Sequence, residues 1–475
     1  MPSFGAQHFS RAPNLDNLGR FQSRFGERFP ARGAPVAPRL KPMNWQGALA
    51  AVMLGALAAS TGVIQPPPRD AGAARGPAEA PAAAPASSAP VLALSVPGGA
   101  VGAPALVPSS SGSPAEPEPA PELPPLTATI AFAGDVLPHM GVDRAAQTKN
   151  GYDFGPMFKP IAKWVKGADL AICQLEVPLA PPGRPIATYP IFAAPRPLVP
   201  SLAKQGWDGC ATATNHSLDQ GWAGIQTTVG ALKKNGMGYV GMALSKADAQ
   251  AAQLYQLTLD GQTLTIAHLS TSYGFNGFRQ PKGKPWAVAE NNVGQIVKRA
   301  KAARAAGADV VLLSVHLGTE YVTKPSTQQK KFMAAIAKTG AIDAVIGGHP
   351  HVAEPIVKLP GGVDGRGMWT AYSLGNMISG MTQPLRTLGL IAYVQVTKDA
   401  DGAKVTGMTW SPIVVDRFTK YKIYALADGG KLGSLSAATV KSLHKTAKGI
   451  VGPAAPEQKK PPTPSGAELT VLPHG

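Results

Sequence analysis

Trp207–Gly221, WDGCATATNHSLDQG, is the stretch that decides the fold. Gly209–Ala213 is a short apolar run that stops at Asn215-His216, turns through Ser217-Leu218-Asp219 and leads into a helical pattern. It reads as a buried strand, a polar turn and a helix. Open α/β sheets place their ligands at the carboxyl ends of strands. A neutral amide beside an imidazole coordinates a divalent cation without adding charge.

Working outward, other strands end the same way. TATIAFAGD runs to Asp135, ADLAICQLE to Glu176, ADVVLLSVH to His316, and AIDAVIGGHPH to His349 and His351. Helical patterns separate them near Phe158–Lys166, Leu198–Gln205, Gly224–Asn235, Val293–Ala306 and Ser326–Lys338. LYQLTLDGQTLTIAHLS, turning at Asp260-Gly261, is a β-hairpin. MWTAYSLGN is a further strand, and Leu390–Val396 with Lys404–Val415 make a closing hairpin. Strands alternating with helices, followed by hairpins, predict an α/β fold: a two-sheet sandwich flanked by helices.

Two carboxylates, an amide and several imidazoles converging on one sheet edge form a donor set for one or two divalent ions of intermediate hardness, Mn, Zn or Fe. Without such ions Asp135 and Glu176 would repel each other and the edge would hold unsatisfied polar groups. Taken singly, each residue has a plainer account. An aspartate after a strand caps a helix or forms a turn, Glu176 is a surface charge, and a lone His316 or His349 is a structural histidine. The same strand-then-donor pattern at successive strand ends is what points to a metal centre. Gly347-Gly348 also fits, since glycines let backbone pass close to an ion. His268, in mid-strand, is read as structural.

The flanks are of another character. The chain has 475 residues with Pro 47 and Gly 53, and most of the surplus proline lies before Thr127 and after Gly452. Residues 1–43 are polar and arginine-rich and are expected to be disordered. Within 44–64, Trp45–Ile64 carries no charge over about the length that spans a bilayer. The cationic segment before it places its N-terminus in the cytoplasm. It is read as a retained single-pass anchor, the alternative being a signal peptide cleaved near Ala56-Leu57-Ala58. Residues 65–126 form a Pro/Ala-rich linker. The folded domain is expected over 127–416, with a C-terminal extension at 417–450 and a disordered tail at 451–475.

Net charge is +17. A basic chain suits nucleic acid, an anionic membrane surface or a polyanion. No helix-turn-helix, zinc-finger or RNA-recognition pattern is visible, so nucleic acid is set aside. Cys173 and Cys210, the two cysteines, fall in buried strands and are read as packed thiols rather than a bridge. Arg184, Lys282 and Lys284 lie on loops where they could meet an anionic substrate, or simply be solvated.

Between Thr127 and Val415 the chain resembles the bacterial capsule-synthesis CapA family (poly-γ-glutamate biosynthesis protein), whose domain is similar to calcineurin-type metallophosphoesterases. The resemblance rests on AGDV at 133–136, QLEVPL at 174–179, ATNHSLDQG at 213–221, VHLGTEY at 315–321, GGHPHV at 347–352 and YSLGN at 372–376. It implies a four-layer, metallophosphoesterase-like fold. It also implies a part in making or exporting an anionic γ-linked glutamate polymer or a related surface polymer; membrane synthase partners belong to the non-catalytic alternative below. By the same resemblance Asp135, Glu176, Asn215, His316, His349 and His351 are metal ligands. Asp135 and His216 are catalytic, His216 as proton donor or oxyanion stabiliser; Arg184, from its loop position and not from the resemblance, is the candidate substrate contact. The chain departs from the phosphoesterase pattern in reading Asp135-Val136-Leu137 for Asp-x-His, with His139 as the nearest imidazole. It also has Glu176 for an aspartate and Thr214-Asn215-His216 for Asn-Asn-His. Two functions fit: a membrane-tethered, exported metallohydrolase acting on a phosphoester or γ-glutamyl polymer, or a non-catalytic, polymer-binding subunit of a synthase.

Overall fold

The structure is a computed structural model and describes residues 124–474. The basic N-terminus, the anchor and nearly all of the linker read from the sequence lie outside the described residues. Among the described residues no helix is long and apolar enough to cross a membrane.

Strand β1 (Leu126–Leu137) is apolar on both faces: Ile130 and Phe132 point one way, Ala131 and Ala133 the other. Such a strand belongs inside a sheet covered on both sides. Strands β2 (Gln147–Thr148) and β3 (Gly151–Tyr152) form a small separate ladder. The first sheet continues through β4 (Leu170–Leu175), β5 (Gly209–Ala211) and β6 (Gly238–Val240), all parallel to β1. The second holds β7 (Gln253–Leu259), β8 (Gln262–Ser272), β9 (Val310–His316), β10 (Ala344–Gly348), β11 (Ile356–Leu359) and β12 (Met368–Ala371). The chain then returns to the first sheet with β13 (Asn376–Ser379), β14 (Leu388–Asp399), β15 (Gly402–Asp416) and β16 (Lys422–Ala425), and ends on β17 (Glu468–Val471). The orders are β16-β15-β14-β1-β4-β5-β6, with β13 also on β1, and β11-β12-β10-β9-β8-β7-β17.

The sheets meet through Ile130, Phe132, Leu170 and Ile172 on one side and Leu264, Ile266, Val310, Leu312, Ala344 and Ile346 on the other. Each fully buried side chain of this size stabilises the fold by about 1.5–3 kcal/mol, so the seam strongly resists separation. The outer face of the first sheet lies under helices Leu198–Lys204 and Gly221–Lys234, through Leu202, Ile225 and Val229. That of the second lies under Val293–Ala305 and Thr327–Lys338, through Ile296, Met333 and Ile336. Helix, sheet, sheet and helix make the expected α/β sandwich.

Three expectations are corrected. Cys173 and Cys210 form a disulfide, because β4 and β5 are adjacent and parallel with these residues in register. The tail after Gly452 is ordered and ends in a strand: β17 pairs antiparallel with β7, and Ser465 binds Asp169 through its N–H and hydroxyl at 2.6 and 2.7 Å. The open edge of β7 supplies the ladder, and alternate residues Leu469 and Val471 add to the apolar seam. The domain likewise runs past residue 416, with β16 on β15 and helix Ala437–Val451 covering the seam through Val440 and Ala447.

Candidate metal centre

Asp135 is aimed by irregularities in β1. Its pairing with β4 shifts between Phe132 and Asp135, and its pairing with β13 shifts between Asp135 and Val136. Bulges of this kind re-aim a side chain. The Asp135 carboxylate is fully buried. Its Oδ2 accepts the His349 N–H at 3.2 Å and lies 3.1 Å from His351 Nδ1. Glu176, just past β4, is also fully buried, with Oε1 3.6 Å from Nε2 of both His316 and His351.

The imidazoles arrive from the other sheet. His316 ends β9, its ring held between Gln174 Nε2 at Nδ1 (2.5 Å) and Asn215 Oδ1 at Nε2 (2.9 Å). His349 and His351 follow β10 with φ of 97° and 57°, a region that costs a non-glycine residue about 1–3 kcal/mol. The cost is held in place by the packing around them. A Cβ on Gly348 would sit 2.6 Å from Asp135 Oδ1 and 2.4 Å from Gln174 Nε2, so only glycine lets this turn close onto the carboxylate. The expected convergence on one sheet edge is therefore corrected. Asp135, Glu176 and Asn215 come from the first sheet, and His316, His349 and His351 from the second. They meet where the carboxyl ends of the two sheets face each other.

The electrostatics are those of a cation site. Burial raises the Asp135 carboxyl, but the hydrogen bond to His351 and the His351 charge, with the His349 N–H adding to them, outweigh it, leaving Asp135 below the ordinary carboxylate value. Burial, with the Asp135 charge adding to it, pushes Glu176 up to about 8. Burial lowers His316 to about 3 and His349 to about 2, so both rings are neutral donors at neutral pH. Burial also acts to lower His351, yet the Glu176 and Asp135 carboxylates lift it to about 9. At neutral pH the His351 proton thus balances the Asp135 charge while Glu176 keeps its proton, and a divalent ion would favour the ionised form of both carboxyls.

Buried polar atoms in a native fold are nearly always bonded. Here Asp135 Oδ1, both Glu176 oxygens and His349 Nδ1 are buried without a hydrogen-bond partner. Asp135, Glu176 and His351 bring donor atoms within 4.8 Å of one another, and so do Glu320, His349 and His351. Orphaned donors, neutral imidazoles and two overlapping groups that share His351 fit one or two divalent ions.

His216 stands beside this set. Its Nδ1 donates to Asp219 Oδ2 at 2.8 Å, and Phe192 packs edge-on at 4.7 Å. Arg184 is not brought to the cluster: exposed, it donates to the Gln220 carbonyl at 3.3 Å. Lys284 lies over the Trp222 ring. His139 belongs to neither donor group. Its Nδ1 lies 3.2 Å from Gly380 N, and its ring packs on Phe192. His268 binds Ser314 between the sheets.

Sequence reading missed Gln174, Glu320, Asn376 and Asp219. Gln174 shares the face of Glu176 two residues on, an alternation that could have found it. Asn376, whose Oδ1 lies 3.1 Å from His351 Nδ1, and Glu320 both lay inside quoted motifs.

The chain matches the model of the family described as bacterial capsule synthesis protein PGA_cap over residues 129–381. It is 33% identical over 177 residues to the PGA biosynthesis protein CapA of Bacillus subtilis (strain 168), covering 35% of this chain and 41% of that protein. It is 26% identical over 257 residues to the capsule biosynthesis protein CapA of Bacillus anthracis, covering 53% and 59%. The matches thus span about half the length of these relatives. Among solved structures, the calcineurin-like phosphoesterase YfkN from Bacillus subtilis aligns at 14% identity with a TM-score of 0.38, over 68% of this chain and 98% of that one. With the family model covering more than half of its length, this chain belongs to the bacterial capsule synthesis (PGA_cap) family.

Proposed function

We propose that the domain is a divalent-metal hydrolase that acts on an oxyanion-bearing substrate, a phosphoester or a γ-linked glutamate polymer, during synthesis or export of a capsule polymer. The observation that carries this reading is the pair of buried carboxylates, Asp135 and Glu176, whose unpartnered oxygens lie beside imidazoles shared between two donor groups. Asp135, Glu176, Asn215, His316, His349 and His351 would hold the ions, with Glu320 joining them; Mn, Zn and Fe all suit such donors. Ions bound there would polarise a phosphoryl or acyl oxygen and activate water.

The chain's own residues supply the rest. Asp219 orients His216 through Nδ1 and leaves Nε2 to pass a proton to the leaving group, a role typically worth about 10²–10⁴ in rate. The Asn215 amide, held by Asn276 at 3.2 Å, fixes the neighbouring donor. Membership of the capsule-synthesis family and the relatives named for PGA biosynthesis and for capsule biosynthesis support a polymer substrate. The charge-free run Trp45–Ile64 supports a single-pass anchor in the bacterial inner membrane, with the domain outside the cytoplasm and near membrane synthase partners. The Cys173–Cys210 bridge supports the same placement, since disulfides persist in oxidising compartments.

A second reading, a non-catalytic polymer-binding subunit, is favoured by one observation: the first motif lacks Asp-x-His, and His139 packs on Phe192 outside either donor group. The two separate cleanly. Full-length protein loaded with metal is expected to retain it through elemental analysis and to turn over a phosphoester or a γ-linked glutamate oligomer. H216A is expected to keep its metal and lose about 10²–10⁴ in kcat. A wild-type protein that keeps metal but shows no turnover, with polymer production in cells untouched by H216A, would establish the binding subunit instead.

A further inference from the structure

Arg386 stands beside the centre without a counter-charge. Its backbone carbonyl accepts from Asn376 Nδ2 at 2.9 Å, and Asn376 Oδ1 lies 3.1 Å from His351 Nδ1. One amide side chain thus ties the short helix Pro384–Thr387 to the donor set. The Arg386 guanidinium lies 3.5 Å from the centre of the Tyr321 ring, and that ring is 6.1 Å from the His351 imidazole. Tyr321 directly follows Glu320, a member of the second donor group, and its backbone N–H donates to the Pro350 carbonyl at 2.7 Å. The shelf that carries the guanidinium is therefore fastened to the turn between His349 and His351.

Among the described residues the arginine ion pairs are those of Arg304 and Arg366, and Arg386 has none, although Glu320 adjoins the ring it lies on. Stacking on an aromatic face orders the cation without using its in-plane N–H groups. A pre-ordered fork with its donors free matches a carboxylate or phosphate group bidentately. The rim around it is aromatic: Tyr273 packs at 4.6 Å on His349 and is 42% exposed, and Tyr321 is 39% exposed.

We propose that Arg386 is the oxyanion receptor of the centre and grips a carboxylate or phosphate group of the substrate while the neighbouring donors face the bond to be cut. This rests on the metal-hydrolase reading above and adds to it the residue that recognises the substrate's charge. The place given to Arg184 by the sequence passes to a residue that no motif contained.

The test uses the full chain, loaded with metal and assayed for metal content first. Inorganic phosphate and a γ-linked glutamate pentamer are then titrated separately by calorimetry. R386A is expected to retain metal and melting temperature while binding weakens roughly ten- to a hundredfold. R386K, which keeps the charge and loses the planar fork, is expected to fall between R386A and wild type. Weakening confined to the pentamer assigns Arg386 to a substrate carboxylate, weakening confined to phosphate assigns it to a phosphoester, and weakening of both makes it a general oxyanion receptor; all three support the proposal. R386Q, similar in reach and uncharged, takes the place of R386A if that variant is unstable. Equal affinity of R386A and wild type for both probes overturns the proposal, and so does a metal-loaded wild type that binds neither. A wild type that holds no metal sinks the underlying reading, and the prior metal assay tells the two failures apart.

Discussion

Two buried aspartates close together in the chain show how neighbours decide the state of a carboxyl group. Asp135, surrounded by His349 N–H, His351 and His316, stays below its ordinary value in spite of burial. Asp143, 3% exposed with neither oxygen bonded, has only burial acting on it and is pushed up to about 7. Its folded-state value is thus above the unfolded one, so its contribution to stability is complete below about pH 4 and is lost as pH rises through 7. D143N removes this dependence. The variant is expected to melt higher than wild type at pH 8, corresponding to about 1–3 kcal/mol, and to show a flatter decline between pH 4 and 8. Parallel melting curves across that range would remove Asp143 from the account. The strand-end residues proposed as donors were legible because strands buried on both faces make a polar strand end conspicuous, whereas Glu320, in the loop after β9, was not. Arg386 was not legible: nothing in MTQPLRT marks it, and its role follows only from the ring beneath it.

At the scale of elements, strand and helix positions could be read from period and punctuation, whereas pairings could not. No local feature of QLEVPL or ATNHSLDQG says that β4 and β5 lie side by side in the register that joins Cys173 to Cys210. Nor does any local feature say that His316 and Asp135 belong to different sheets. The tail misled in another way. Its proline-rich composition hid a run of only four residues, ELTV, whose alternation suffices to fill the edge of β7. The disulfide closes a loop with a sequence separation of 37. By the chain-entropy account such a bridge is worth about 2–4 kcal/mol. C173A/C210A is expected to lose that amount in urea unfolding and to become indifferent to added reductant, whereas wild type falls to the same midpoint when reduced. A double variant as stable as the oxidised protein would mean that the packing of β4 on β5, not the bridge, holds this end of the sheet.

For the whole molecule, the centre lies where two separately built sheets present their carboxyl ends to each other. An ion held by Asp135 and Glu176 on one side and by His316, His349 and His351 on the other would join the sheets beyond their apolar seam. It would also relieve a cost present within the protein itself, the burial of Glu176 beside the Asp135 charge. Opposite signs follow. Mn, Zn or Fe at about a hundred times its Kd is expected to stabilise wild type by about 2.7 kcal/mol. E176Q, which gives up the buried titratable carboxyl and with it the ligand, is expected to melt at or above the metal-free wild type and to gain nothing from metal. Because the donors are divided between sheets, added metal should slow hydrogen exchange at the ends of β4 and β5 and of β9 and β10 together. Protection on one sheet alone would mean that the ion is held from one side, and the two halves of the donor set would then serve separate purposes. Protection on both, absent in E176Q, would make the metal part of what holds the sandwich closed at the end where the substrate enters.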